Sequence, residues 1–246
     1  MKYLLTIAFD GRDFCGFQIQ KNGVSVQETL CRAVETVMGN PYPVTGCSRT
    51  DSGVHATGFR ATVETDDGAP VIPPEKLPMA LNGALPESVS VRDAILVPDT
   101  IHARYAVKRK EDRYRIHHAP TRDPFLAGRA WFYPRPLRDT LMAETLSYAV
   151  GTHDFRSFMA AGSDISETVR TVFDARVDRC GELVTITVEG NGFLYHMVRI
   201  LVGTAVAASE GKIVPADMPA ILAACDRRAA GPTAPACGLY LTNVIY

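Results

Sequence analysis

No apolar run in the 246 residues is long enough to cross a bilayer. The opening MKYLLTIAFDGRD has a short apolar stretch but no small-residue cleavage site, and it alternates as a strand does, so a cytoplasmic protein is expected. The six cysteines (Cys15, Cys31, Cys47, Cys180, Cys225, Cys237) form no C-x-x-C pair and no regular spacing. That argues against a zinc cluster or a disulfide framework and leaves buried free thiols as the expectation. A serine-hydrolase elbow is not completed: Gly46 and Ser48 are present, but Thr50 stands where G-x-S-x-G needs glycine. Dinucleotide and phosphate-loop fingerprints are missing, and no Glu or His pair has metal-ligand spacing near that loop. Disorder is excluded too, because apolar residues make up 46% and charged residues 22%.

Net charge is also nearly absent, at −1, but it is unevenly distributed. Residues 1–100 carry 8 Lys and Arg against 12 Asp and Glu, whereas residues 101–246 carry 18 against 15. Seven basic residues fall between Arg104 and Arg122, opposed by Glu111 and Asp112 and interleaved with Tyr105, Tyr114, His117 and His118. Such a run is either a solvated face or a surface for RNA, and the interleaved aromatics suit the second.

Element order is the next source of information. Residues 3–9 alternate as a strand. Ser25 and Glu28 have capping-box spacing ahead of VQETLCRAVETVMG, whose Val26, Leu30, Val34 and Val37 recur at helical intervals up to Gly39. Strands are expected at 42–48 and 58–65, a helix from Pro74 through Leu85, and a strand in VSVRDAILV. This β-α-β-β-α-β order is the ferredoxin-like, split βαβ pattern. The second half repeats it with longer insertions: strand DRYRIHH, helix LRDTLMAETLSYAVG, strands TVRTVFDARVDRC and GELVTITVEG, helix LYHMVRILVGTAVAAS, a shorter helix near MPAILAACDRR, and strand GLYLTNVIY. Residues 118–135, rich in proline, read as irregular. The expected fold is α+β, two ferredoxin-like halves (1–100 and 101–246) sharing a mixed, mostly antiparallel sheet with a cleft between them.

The chemistry-bearing residues begin in SRTDSGVHATG. Asp51 or Ser52 either stabilises this turn by bonding to nearby amides, or the loop presents Asp51 to a site. The helix at 194–209 bears on that choice. It is apolar on almost every side, yet Arg199 sits in its middle, and a buried guanidinium is costly without an anionic partner. His196, Arg199 and Gly203 share one stripe, and Asp51 is by chemistry the natural carboxylate for Arg199. In DRYRIHH, Tyr114 and Ile116 share one face and Arg113 and Arg115 the other. Tyr114 is either a core residue or a ring on which a base stacks, with the arginines available to phosphates.

VQETLCRAV, SRTDSGVHATG, IHARYAV, DRYRIHH, DFRSFM, LYHMVRILVG and GLYL together resemble the tRNA pseudouridine synthase A family in order and spacing, along essentially the whole chain. The resemblance implies two ferredoxin-like halves flanking a basic cleft, no cofactor or metal, a homodimer, and isomerisation of neighbouring uridines on the 3′ side of the tRNA anticodon arm. It implies Asp51 as the nucleophile, attacking the flipped nucleotide at sugar or base, and Arg199 as its ion-pair partner. Tyr114 would stack on the uracil and help remove the carbon 5 proton. Arg49 would take up phosphate or space near the flipped base, and Leu241 would pack against that base. Arg113 and Arg115, from the strand alternation, and His55, from the SRTDSGVHATG stretch, are the further candidate substrate contacts. The block departs from the family's usual G-R-T-D-A-G at Ser48 and Ser52, Phe17 stands where many members have Trp, and Glu111 and Asp112 stand where members tend to be basic.

Overall fold

The computed structural model describes residues 1–66, 72–163 and 165–246. Its contacts divide the chain into two units, Met1–Lys108 with Tyr240–Tyr246, and Arg109–Leu239. No helix among the described residues is long and apolar enough to cross a membrane.

The first unit follows the expected order: β1 (Lys2–Phe9), α1 (Val26–Met38), β2 (Val44–Gly46), β3 (His55–Glu64), α2 (Leu77–Asn82) and β4 (Val89–Val97). Strands β4, β1 and β3 are neighbours in that order, all antiparallel, and β2 pairs antiparallel with the far end of β3, at Ala61–Val63. The near end of β3 is paired by the chain's last strand, Leu239–Ile245, which runs parallel to it with Tyr240 opposite His55 and Leu241 opposite Ala56. Burying Tyr3, Leu5, Ile7 and Phe9 of β1 against Phe59 of β3 and Leu30 and Val34 of α1 forms the core of this unit. Ser25 caps α1 by accepting from the Glu28 amide at 3.1 Å. The Glu28 carboxylate pairs with Arg32 one turn on, at 2.5 Å. Strand β2 is shorter than expected and β3 starts three residues earlier, because the partner that extends β3 comes from the far end of the chain.

The second unit contains β5 (Arg109–His117), β6 (Trp131–Phe132), α3 (Asp139–Ser147), β7 (Gly151–Asp154), β8 (Val169–Cys180), β9 (Leu183–Gly190), α4 (Met197–Ser209) and α5 (Met218–Ala224); the last strand is β10. Its sheet runs β5-β9-β8-β7, antiparallel throughout, with β6 parallel to β5. Thus the α+β class and the mixed, mostly antiparallel pairing hold in each unit. Helix α3 packs on α4 and β8. It ends earlier than the sequence pattern suggests, since the chain at Gly151 already turns into β7. Every residue of α4 except Arg199 is buried, as its all-round apolarity requires. Only Cys47 among the thiols is fully buried, and Cys180 lies exposed at the β8–β9 turn, which corrects the expectation of buried thiols.

Candidate active site

In the first unit, the loop between β2 and β3 is held by its main chain. Val54 N donates to Asp51 O at 3.1 Å, and Gly53 takes the φ of +79° that this turn needs. Phe17 N donates to Thr50 O at 3.3 Å, and the Ser52 hydroxyl donates to Phe14 O at 3.2 Å. The segment after β1 therefore fixes the loop from one side. Asp51 is half-buried within it, and Arg49 is exposed.

His55 lies beneath the loop. It is 2% exposed, and its ring stacks on Tyr240 with centroids 4.6 Å apart. Nδ1 accepts from Gly11 N at 3.0 Å and sits 3.3 Å from an Asp10 oxygen. A nitrogen accepting an amide proton carries none itself, so the hydrogen bond from Gly11 describes this contact better than an ion pair does. Burial pushes the Asp10 carboxyl up, but hydrogen bonds from the Arg12 guanidinium outweigh it and hold the group at about 2. Leu241 points the opposite way from Tyr240 and is packed in the apolar core of the first unit.

In the second unit, alternation along β5 sorts the basic run. Asp112, Tyr114 and Ile116 are buried, while Arg109 and Arg113 are exposed on the other face. Tyr114 is fully buried, edge-on to Trp131, and its hydroxyl donates to Pro235 O at 2.7 Å. Burial raises its pKa far above the ordinary tyrosine value, Cys237 adds to the rise, and the charge of Arg199 opposes it. The Arg199 Nε donates to Ala234 O at 2.8 Å, and Ala234 N donates back to Arg199 O at 3.0 Å. Two successive carbonyls, of Ala234 and Pro235, thus orient Arg199 and Tyr114. Sequence reasoning missed this segment. The prolines of GPTAPACG were the available signal, since donor-free, rigid residues leave carbonyls for other groups to use.

The remaining basic residues differ in their partners. Arg113 donates to Glu111 at 3.0 Å, and Arg109 pairs with Glu189 at 3.0 Å while lying over the Phe173 ring. Arg115 is half-buried on the same face. Arg104 and Lys108, exposed in the first unit, have no ion pair among the described residues.

Ferredoxin-like element order in both halves of the chain, with antiparallel sheets backed by helices, defines an α+β protein of the pseudouridine synthase fold. A family model described as tRNA pseudouridine synthase matches residues 5–106 and 146–246. The chain belongs to that family, and it is therefore a tRNA-modifying isomerase. It is 42% identical over 243 residues to tRNA pseudouridine synthase A of Thermoanaerobacter sp. (strain X514), covering 99% of this chain and 98% of the relative. It is 44% identical over 240 residues to the protein of that name in Brevibacillus brevis (strain 47), covering 98% and 97%. A likeness to a solved structure titled "Crystal Structure of a Cbf5-Nop10-Gar1 Complex" has a TM-score of 0.39 at 12% identity, covers 83% of this chain and 44% of that one, and carries no weight.

Proposed function

We propose that the protein converts neighbouring uridines on the 3′ side of the tRNA anticodon arm to pseudouridine, with Asp51 as the nucleophile. The observation that carries this reading is the loop itself, whose turn is closed by the Asp51 carbonyl, Gly53 and the Ser52 hydroxyl. Those bonds hold the loop through the Asp51 carbonyl and the Ser52 hydroxyl, which fixes the main chain around the half-buried Asp51 side chain. In the reaction the carboxylate attacks the sugar at C1′ or the base at C6, and the N-glycosidic bond breaks. The uracil turns and C5 bonds to C1′; the Asp51 carboxylate leaves C1′ as that bond forms or is eliminated from C6 after it. The C5 proton departs and N1 gains a proton, so the enzyme is regenerated and composition is unchanged.

Arg199 serves as the cation that keeps Asp51 ionised, a role supported by its position as the one charge in an otherwise buried helix. Tyr114 contributes its ring to the uracil pocket. Because burial favours the neutral phenol, stacking suits it better than proton abstraction. Contact with a base requires displacement of whatever now covers that ring, since Tyr114 is 0% exposed. Arg49 takes phosphate or the space of the flipped base, Leu241 packs against the base, His55 contributes from beneath the loop, and Arg113 and Arg115 approach the backbone. The enzyme acts as a homodimer in the cytoplasm, where its tRNA substrate is found.

Tritium release from tRNA labelled at uracil C5 tests the assignment. The native protein should release tritium, and Asp51→Ala should bind tRNA but release none; release by Asp51→Ala at the native rate would refute the role. A non-catalytic RNA-binding protein would release none in either form.

A further inference from the structure

The second unit holds a cavity of about 490 Å3, within the range of small-ligand sites. One wall is the chain after β7 (156–163) and the other is the turn after α5 (225–228). Buried Ser157 ties the walls together. Its hydroxyl donates to Ile221 O at 2.6 Å and accepts from Asp226 N at 3.0 Å. The lining includes three guanidinium groups, those of Arg156, Arg227 and Arg228, and one carboxylate, Asp226.

These arginines are not equivalent. Arg156 pairs with Asp154 at 3.4 Å, and Arg228 makes a forked pair with Asp226 at 2.8 Å. Arg227 is half-buried, and its bonds go to neutral acceptors, Thr233 Oγ1 at 3.2 Å and Ala230 O at 3.4 Å. Among the described residues no carboxylate lies within ion-pair distance of it. A guanidinium never deprotonates in a protein, so one that is partly desolvated and faces only dipoles among the described residues is suited to an incoming anion. Strain falls in the same wall. Cys225 adopts φ +48°, a left-handed conformation costly for a non-glycine residue. The arginine also sits close in sequence to the candidate site, because Thr233 precedes the residue whose carbonyl orients Arg199.

We propose that this cavity binds a backbone phosphodiester of the tRNA, with Arg227 as its principal charge and Arg156 and Arg228 at the rim. The proposal rests on the reading of the protein as a tRNA uridine isomerase and adds a contact that the reacting residues do not supply. Such a contact fixes register on the RNA without reading sequence. The guanidinium fork suits two phosphate oxygens, and its existing bonds to Thr233 and Ala230 hold it ready.

Arg227→Gln keeps an amide donor for Thr233 and removes the charge. Binding of full-length tRNA, measured across a salt series, should weaken about tenfold, and the slope of log K against log salt should fall by about one. KM should rise with Kd, and Arg227→Lys should restore most of the slope. A merely structural arginine would leave the slope unchanged. If Arg227→Gln loses its cooperative melting transition, Arg156→Gln at the exposed rim provides the same measurement. Native Kd and native slope in the folded charge-removing variant would overturn the proposal. A native protein that releases tritium while this variant binds normally would refute the cavity assignment alone, whereas a native protein that releases none would refute the isomerase reading itself.

Discussion

Gly203, in the middle of α4, is where two physical expectations oppose each other. In a helix interior alanine is favoured over glycine by about 1 kcal/mol, so Gly203→Ala would stabilise an isolated α4. In the folded chain, however, a Cβ at 203 would lie 1.7 Å from Pro232 O and 2.8 Å from Pro232 C. Carbon and oxygen need roughly twice that shorter separation, so the segment must retreat by about 2 Å. The obstructing atoms are backbone, and overpacking of this kind costs about 1–3 kcal/mol. The clash should cancel the helical gain and outweigh it by up to about 2 kcal/mol, lowering Tm by up to about 8 °C. Activity should fall further than stability. Ala234 and Pro235, whose carbonyls orient Arg199 and Tyr114, lie two and three residues beyond the displaced Pro232. A misplacement of about 1 Å at a reacting group can cost about 100-fold in rate. Thermal melting and single-turnover tritium release read the two effects separately. A Gly203→Ala protein that melts at or above the native temperature and keeps native turnover would refute the close-approach argument.

Two smaller predictions follow from bonds already described. Tyr114→Phe removes the donor to Pro235 O and should cost about 1–3 kcal/mol of stability with tRNA binding retained and tritium release slowed; a native rate would limit the hydroxyl to a structural role. Asp10 is held at about 2, below its ordinary 3.8, so its contribution is present above pH 4 and is lost as pH falls through 2. The native protein should exceed Asp10→Asn in stability by about 1–2 kcal/mol at pH 7, a value reduced for the partial exposure of the pair. Denaturant titrations should show that gap closing between about pH 4 and pH 2, and a gap independent of pH over that window would refute the charge argument.

Most of the architecture was legible because it is written in local periodicity. Strand β4 and helix α1 match their expected bounds nearly residue for residue, and alternation along β5 correctly separated Tyr114 from Arg113. Strands β6 and β7, of two and four residues, are too short to display a period. The surroundings of the candidate residues were harder to read. His55 gains Tyr240 and Gly11 as neighbours, and Leu241 gains a place in the first-unit core, through contacts between distant parts of the chain. Glu111 shares a strand face with Arg113, which makes their pairing visible in hindsight. Arg227 stands out by a different criterion. Its sequence context, D-R-R, resembles a helix end, and only the neutrality of its acceptors in the folded chain distinguishes it from Arg228.

Strand β10 has a consequence for how the molecule is made. The unit that carries Asp51 is synthesised first, yet Tyr240–Tyr246 belongs to it and leaves the ribosome only after Arg109–Leu239. Until then His55 has no Tyr240 beneath it and the near end of β3 has no parallel partner. The amino-terminal unit therefore cannot finish folding in the order of translation, and closing it requires a contact across most of the chain length. A nascent chain stalled before residue 240 would carry the whole Asp51 loop while lacking the strand that completes its sheet.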